Sequence, residues 1–402
     1  MIMTKYELPT ELMREWRHQI HANPELGFEE EATSALVRDL LTSWGYEVTS
    51  GLAITGLVGQ RVFGDGTGPK IGIRADMDAL PLQEETGLPY QSRNPGKMHA
   101  CGHDGHTAIL LGAAKAISEL DVDGFNGTLN LIFQPAEEVG GGGGAQRMME
   151  DGLFDKFPCD LIFALHNYPG VPVGSLAFRP GPFMCSSDLV KLTFAGKGGH
   201  GGLPHMAIDP TQPLAGTISA LQSIVGRNID PMYTGVISVG KVHAGHSYNI
   251  IPTTAELELS VRALQPEVRE TLEARIRELA DFQAKSFGCS VQIDYKFGYP
   301  VLVNDSAATE EIIAAASKVF STAEVDAQAL PLTGSEDFAY MLQQVPGCYL
   351  LIGNGDNGHS GGERVGPCSV HNPHYDFNDE SLSTGAQLWL ALCEHFFHEQ
   401  NR

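Results

Sequence analysis

Basic residues are scarce in this 402-residue sequence, which has 26 lysines and arginines against 49 aspartates and glutamates and a formal net charge of −23. Nucleic acids and anionic membranes reward basic surfaces, so the composition argues against both as partners. Hydrophobic residues make up 42% and charged residues 19%, which is typical of a globular protein. At this length the sequence predicts two domains.

Two further features are missing. The opening residues, MIMTKYELPTELMREW, carry no apolar core of signal-peptide length, and no apolar run approaches the length of a membrane-spanning helix. The seven cysteines are odd in number and widely spaced, unlike the disulfide framework of a small secreted domain. We therefore expect a cytoplasmic protein in which any special cysteine serves chemistry.

Short β-like runs bounded by glycine alternate with helical patterns in the first part of the chain. Predicted strands cover 56–62, 71–75, 128–133 and 161–165, and predicted helices cover 9–21, 29–44 and 107–120. This alternation indicates an α/β sheet that is at least partly parallel.

The sequence pattern changes near Ser186. Strand and helix patterns follow in β-α-β-β-α-β order, the ferredoxin-like arrangement, over 188–195, 210–226, 236–242, 255–263, 266–287 and 291–295. Helical and strand patterns then return at 307–320, 348–353 and 381–397. We predict an inserted α+β domain over 187–296 and a discontinuous α/β domain formed by 1–186 and 297–402.

Polar side chains follow three of the predicted strands directly. Asp76 follows 71–75, Glu137 and Glu138 come shortly after 128–133, and His166 follows 161–165. Ligands in open α/β sheets bind outside the carboxyl ends of the strands, so these groups are expected to share one crevice.

The segment MHACGHDGH, residues 98–106, adds Cys101 and three histidines, among them His103, just before a helix. Thiolate and imidazole are favoured ligands of transition metals, and carboxylates supplement them. The mixed donors favour zinc, manganese, cobalt or nickel over magnesium or calcium. The alternative is a polar loop that caps the following helix, with Asp104 as the cap.

Glu137 and Glu138 are neighbours, and neighbours in an extended segment point to opposite sides. One carboxylate can hold a metal while the other takes a proton from an activated water. The alternative is a solvated acidic turn, which the five glycines at 140–144 make less attractive. Near the C-terminus, spacing alone does not decide whether His371 or His374 is a ligand.

The predicted inserted domain contains its own polar residues. His200 lies in the glycine-rich stretch GKGGHGGLPH, Asn249 precedes Ile-Ile-Pro, and Arg262 ends a predicted strand. An imidazole, an amide and a guanidinium together suit an oxyanion or a carboxylate. Ordinary turn and surface roles are the alternative.

The sequence resembles the M20 metallopeptidases, in particular the branch with hippurate hydrolases, N-acyl amino acid amidohydrolases and plant auxin-conjugate hydrolases. The similarity spans nearly the whole chain. It rests on motifs in the family's order: RHQIHANPELGFEE, IRADMDALPLQE, MHACGHDGHTA, QPAEE, ALHN, GKGGHGGLPH, NIIPTTAEL, GSEDFA and VHNPHYDF.

The resemblance implies a zinc-peptidase-like α/β/α catalytic domain with an inserted lid and dimerisation domain, and a homodimer or homotetramer. It implies metal-dependent hydrolysis of the amide bond of N-acyl amino acids by two divalent ions, zinc, manganese, nickel or cobalt. Glu137 would be the general base and Asp76 an acid behind the ligands. Cys101 would bridge the ions, and the other ligands would be His103, Glu138, His166 and His371.

The resemblance also assigns roles in the inserted domain. His200 would stabilise the oxyanion, in its own or the partner subunit's site, while Asn249 and Arg262 would hold the substrate. The rival interpretations are an aminopeptidase or dipeptidase on the same scaffold and a non-catalytic metal-dependent binding protein.

Overall fold

The computed structural model describes residues 6–355 and 368–398. The chain divides into two compact units. Unit 1 comprises Met1–Gly181, Val303–Leu330 and Asp337–Arg402, and unit 2 comprises Pro182–Leu302 and Pro331–Glu336. Among the described residues, no helix has both the length and the apolar character needed to cross a membrane.

The α-helices of the described residues are, in chain order, α1 (Thr10–His21), α2 (Glu31–Ser43), α3 (His103–Glu119), α4 (Gly143–Glu150), α5 (Leu153–Lys156), α6 (Thr211–Asn228), α7 (Pro266–Ser286), α8 (Ser306–Ala316), α9 (Phe338–Leu342) and α10 (Ser381–Phe397). Short 3₁₀ turns cover Glu137–Val139 and Pro204–Met206.

The strands of the same residues are β1 (Glu47–Leu52), β2 (Gly56–Phe63), β3 (Lys70–Asp76), β4 (Gly127–Gln134), β5 (Leu161–Tyr168), β6 (Leu176–Ala177), β7 (Gly181–Met184), β8 (Asp188–Ala195), β9 (Gly199–His200), β10 (Gly235–Ala244), β11 (Ile250–Ile251), β12 (Thr254–Ala263), β13 (Ser290–Phe297), β14 (Leu302–Asn304), β15 (Val325–Asp326) and β16 (Gly347–Gly353).

Unit 1 is built on a mixed sheet with the strand order β1-β2-β4-β3-β5-β16-β6-β15. The central pairs β4–β3, β3–β5 and β5–β16 are parallel, whereas β1–β2 and β2–β4 are antiparallel. Strands β4 and β16 are buried along their whole length, as expected for parallel strands covered on both faces. The parallel core places the carboxyl ends of β3, β4 and β5 at one edge, where the candidate site lies.

Unit 2 contains an antiparallel sheet with the strand order β10-β12-β8-β13. In the chain, α6 lies between β8 and β10, and α7 lies between β12 and β13. Residues alternate between buried and partly exposed along β12, so one face of the sheet packs on the helices. The element order and strand order are those of a ferredoxin-like fold, and together with the mixed sheet of unit 1 they confirm the predicted fold class.

One predicted boundary is wrong in a way that matters for the site. Helix α3 begins at His103 rather than Thr107, so His103 and His106 lie on the helix, whereas His99 precedes it. Gly102 precedes the helix with φ 96°, and a Cβ added there would lie 2.2 Å from Asn167 Oδ1. Glycine is therefore required for α3 to begin at this point.

Candidate metal and catalytic site

The strand ends of unit 1 bring the predicted ligands together. Cys101 Sγ lies 3.3 Å from His166 Nε2, and His371 Nε2 lies 2.9 Å from Glu138 Oε1. Donor atoms within 4.8 Å of one another form one group of Cys101, His103 and His166 and another of Cys101, Glu138 and His371. Cys101 is common to both groups.

His103 presents a lone nitrogen to this cluster. Its Nδ1 lies 2.9 Å from the backbone oxygen of Asp78, which can only accept, so Nδ1 carries a hydrogen. Its Nε2 is buried and has no hydrogen-bond partner among the residues that the structure describes. A ring nitrogen held in this way, with its second nitrogen fixed by a carbonyl, is the arrangement of a metal-ligating histidine.

His166 is oriented by the same device. Its Nδ1 lies 2.7 Å from the backbone oxygen of Asn167, which places the hydrogen on Nδ1 and leaves Nε2 facing Cys101. Burial, together with the neighbouring imidazole of His106, holds the pKa of His166 well below its usual range. The ring is therefore neutral and its Nε2 lone pair is available to a ligand.

The electrostatics of the cluster favour a cation. Burial opposes a charge on His103, but the carboxylates of Asp76 and Asp78 outweigh burial and raise the pKa of His103 to about 10. Burial, reinforced by Glu138 and Glu137, raises the pKa of the Cys101 thiol well above its usual range. A bound metal ion would reverse this preference and stabilise the thiolate, so the donor set fits divalent metal ions.

Asp76 lies behind the ligands rather than among them. It is fully buried, its Oδ1 is 2.6 Å from His106 Nδ1, and its Oδ2 accepts from Arg74 Nη1 at 2.7 Å. Burial favours the neutral acid, but the charges of His103 and Arg74 outweigh it and hold the pKa of Asp76 well below its usual range. An ionised Asp76 therefore orients the histidines of α3.

The sequence predicted an extended segment for Glu137 and Glu138, and this prediction is wrong. They occupy a 3₁₀ turn after Ala136, whose φ is 57°. The backbone amide of Glu138 donates to Asp78 Oδ2 at 2.9 Å, and Glu137 is 7% exposed. The tight turn therefore places the two carboxylates in different surroundings. Glu138 lies in the donor group with Cys101 and His371, and Glu137 lies in a group with His103 and Glu138.

The geometry distinguishes the two C-terminal histidines. His371 has φ 63° and lies beside Glu138, and its backbone amide donates to the oxygen of Ala100 at 2.7 Å. His374 instead lies beside Glu85, with Nδ1 3.0 Å from the backbone oxygen and Nε2 3.4 Å from the carboxylate. A positive φ at a non-glycine residue is a strained conformation of the kind found at functional sites.

Unit 2 contains the other predicted residues. His200 Nδ1 accepts from the amide of Gly202 at 2.9 Å, which leaves Nε2 as the hydrogen-bond donor of the neutral ring. Ser247 donates to Asn249 Oδ1 at 2.6 Å, so the amide NH₂ of Asn249 points elsewhere. His200 and Asn249 both line a cavity of about 610 Å³. Arg262 donates to Ser335 Oγ at 2.9 Å.

Several residues of the site were not among the predicted ones. Asp78 ties His103 to the Glu138 amide, and His106 Nε2 lies 2.6 Å from Asn167 Oδ1. Asp337 accepts from Arg74 and from Gln134, and so fixes the end of β4. Asp78, His106 and Asp337 all stood inside the quoted motifs, the last in GSEDFA, but none of them was singled out there.

A buried charge network supports the first turn of α3. His21 is fully buried, with Nδ1 2.8 Å from Asp104 Oδ2 and Nε2 3.3 Å from Glu84 Oε1. Burial opposes a charge on His21, but the Asp104 carboxylate outweighs it and raises the pKa of His21 to about 9. Asp104 is therefore an ion-pair partner rather than the helix cap considered from the sequence.

This network predicts a pH-dependent stability. The folded pKa of His21 lies above its unfolded value near 6.5, so the stabilisation is complete below about pH 6.5 and is lost as the pH rises through 9. Between these values the wild type should lose about 3 kcal/mol of unfolding free energy relative to His21→Gln. Denaturant unfolding at both pH values measures this, with the exposed His205→Gln as the control; parallel curves for wild type and His21→Gln would contradict it.

The mixed sheet and the thiol, imidazole and carboxylate donors at its strand ends define a metal-binding α/β protein. The chain belongs to peptidase family M20/M25/M40, whose model matches residues 72–395. This membership confirms the resemblance that the motifs carried.

Known relatives and solved structures agree with the family. The chain is 42% identical to a hippurate hydrolase from Campylobacter jejuni, over 94% of each chain. It is 40% identical to an N-acetyl-L-cysteine deacetylase from Bacillus subtilis, over 85% of this chain and 80% of the relative. A Bacillus subtilis dinuclear metal-binding peptidase of the M20 family superimposes with a TM-score of 0.81 at 31% identity, over 96% of this chain and 97% of that one. The chain is thus a hydrolase, as predicted.

Proposed function

We propose that the protein hydrolyses the amide bond of N-acyl amino acids with a hippurate-like structure, using two divalent metal ions. The observation that carries the proposal is the buried Glu137 within 4.8 Å of the ligand atoms of His103 and Glu138. The substrates named for the Campylobacter jejuni and Bacillus subtilis relatives, hippurate and N-acetyl-L-cysteine, support this substrate class.

The proposed ligands are Cys101, His103, Glu138, His166 and His371, and the ions are zinc, manganese, nickel or cobalt. The two donor groups share Cys101, which supports a bridging role for its sulfur. When bound, the ions polarise the amide carbonyl and lower the pKa of a coordinated water to near 7.

The protein's own residues then move the proton and hold the substrate. Glu137 accepts the proton of the attacking water and returns it to the leaving nitrogen, because a carboxylate within hydrogen-bond reach acts first as base and then as acid. Asp76 holds the ring of His106 and lies 3.7 Å from Nε2 of His103, the proposed ligand on the same helix.

We assign three roles in unit 2. His200 donates from Nε2 to the oxyanion, in its own or the partner subunit's site, and the tautomer set by Gly202 supports this. Asn249 donates a hydrogen bond to the substrate from its amide NH₂, because Ser247 already donates to its Oδ1. Arg262 supplies the cation that binds the substrate carboxylate. A local cation accounts for the binding of an anion by a chain with a net charge of −23.

A substrate panel tests the proposed function. N-benzoyl, N-acetyl and indole-acyl amino acids and a set of dipeptides are assayed with the protein loaded with each of the four metals. We expect hydrolysis of the acylated substrates at kcat/KM values at least about tenfold above those of the dipeptides, since each 1.36 kcal/mol of transition-state discrimination is tenfold. Faster cleavage of dipeptides would favour a dipeptidase on this scaffold.

We further propose that the protein is a cytoplasmic homodimer or homotetramer that associates through unit 2. The odd number and wide spacing of the cysteines support the location. Sedimentation analysis of the full chain tests the oligomeric state, with a monomer as the contradicting result.

A further inference from the structure

Glu30 is a fully buried carboxylate immediately before α2. Thr55 donates to its Oε2 at 2.5 Å, and the backbone amide of Ala136 donates to its Oε1 at 2.9 Å. The second contact joins residues 106 positions apart in sequence and reaches the residue that directly precedes Glu137. The Glu30 carboxylate therefore contacts the backbone of the residue that directly precedes the 3₁₀ turn Glu137–Val139.

Ala136 is held in an unfavourable conformation at this contact. Its φ is 57°, a left-handed value that L-residues other than glycine, asparagine and aspartate rarely adopt. Ala136 is itself fully buried, so its amide has no route to solvent and depends on the Glu30 oxygen as acceptor. Such a conformation persists only when the surroundings over-determine it.

Two further contacts restrain the turn. The amide of Glu138 donates to Asp78 Oδ2 at 2.9 Å, so the amides before and after Glu137 each donate to a carboxylate. On the side of Glu30, a Cβ added at Gly27 would lie 2.4 Å from Val139 Cγ2 and 3.0 Å from Ala136 Cα. The segment that contains Gly27 and Glu30 thus packs closely against the turn.

We propose that Glu30 is a positioning residue for Glu137, which acts by fixing the Ala136 peptide and with it the direction of the catalytic carboxylate. The proposal rests on the proposed function, since Glu137 matters only as the base. A general base is effective only within hydrogen-bond reach of the proton that it takes, and small displacements of reacting groups lower rates steeply.

The pair Glu30→Gln and Glu30→Asp tests the proposal. Glutamine keeps an oxygen of the same reach for the Ala136 amide, and burial raises the pKa of Glu30 to about 7, so the neutral side chain is a close substitute. Aspartate keeps the charge but is one methylene too short. We expect kcat for hippurate to fall about 10- to 100-fold in Glu30→Asp, with KM nearly unchanged, and to stay near wild type in Glu30→Gln.

The control is Glu25→Asp, which shortens another carboxylate of the same segment. The Glu25 carboxylate accepts from the amides of Ala32 and Thr33 at the start of α2, whereas the Ala136 amide donates to Glu30. This variant should keep the wild-type kcat even where its melting temperature falls. An equal loss of kcat in Glu25→Asp, or a greater loss in Glu30→Gln than in Glu30→Asp, would overturn the proposal.

Hydrogen exchange separates this proposal from the proposed function. The amides of the peptide that spans 135–139 should exchange at least about tenfold faster in Glu30→Asp than in wild type and Glu30→Gln, because the Ala136 amide loses its acceptor. This readout needs no turnover. Unchanged exchange in Glu30→Asp would overturn the positioning role, whereas a wild type that is inactive on every acylated substrate would overturn only the function.

Discussion

Glu137→Gln is expected to lower kcat for N-acyl amino acids by about 10²- to 10⁴-fold, the range that general acid–base catalysis contributes. The amide of glutamine cannot take a proton from water, yet it has nearly the same size as the carboxylate. The 3₁₀ turn is held by backbone amides that donate to Glu30 and Asp78, so the substitution leaves it in place. Steady-state kinetics with hippurate measure the effect.

The same variant should retain its metal. Glu137 is not among the five proposed ligands, so elemental analysis is expected to give the wild-type metal content for Glu137→Gln. Glu150→Gln, an exposed substitution on α4, is the matched control and should keep both activity and metal. Activity of Glu137→Gln within a few-fold of wild type would remove Glu137 from its role as base.

Cys101→Ala is expected to lose most of the bound metal and at least about 10²-fold in kcat, because the metal ions supply the activated water and polarise the carbonyl. Cys101 is the one residue common to the group with His103 and His166 and the group with Glu138 and His371, so its removal weakens both. Elemental analysis and calorimetric titration of the metal-free protein with zinc measure the loss directly.

A second cysteine provides the control for Cys101→Ala. Cys289 lies in unit 2 with its side chain largely buried, and Cys289→Ala removes a thiol without touching the donor groups. Its metal content should equal that of wild type. An unchanged metal content in Cys101→Ala would remove this residue from the ligand set and leave the two groups without a common atom.

Local patterns predicted most of the fold and the composition of the site. The apolar runs that became β3, β4 and β5 are short and largely buried, and Asp76, Glu138 and His166, which follow these runs, lie in the donor groups of the structure. The β-α-β-β-α-β order of unit 2 was also readable, because each helix and strand there has its own periodicity.

Local sequence patterns did not predict the conformation of the 3₁₀ turn Glu137–Val139. The five glycines at 140–144 carry no helical pattern, yet α4 begins among them at Gly143. The amide of Ala136, directly before the 3₁₀ turn, donates to Glu30 across 106 residues, and Gln134 at the end of β4 donates to Asp337 across 203 residues. Buried carboxylates that accept hydrogen bonds across such separations leave no periodic trace in the sequence.

His21 illustrates the same limit at a smaller scale. Its local sequence gives no sign of a charge, because the carboxylates that contact it, Asp104 and Glu84, come from distant segments. Only the folded chain places the charges together, and the raised pKa of His21 follows from that placement.

The decisive experiment is the hippurate arm of the substrate panel, repeated after a chelator has removed the metal from the protein. We expect the metal-free protein to be inactive, and we expect zinc, manganese, cobalt or nickel to restore hydrolysis to benzoate and glycine. Full activity in the metal-free protein, or no hydrolysis with any of the four metals, would contradict it.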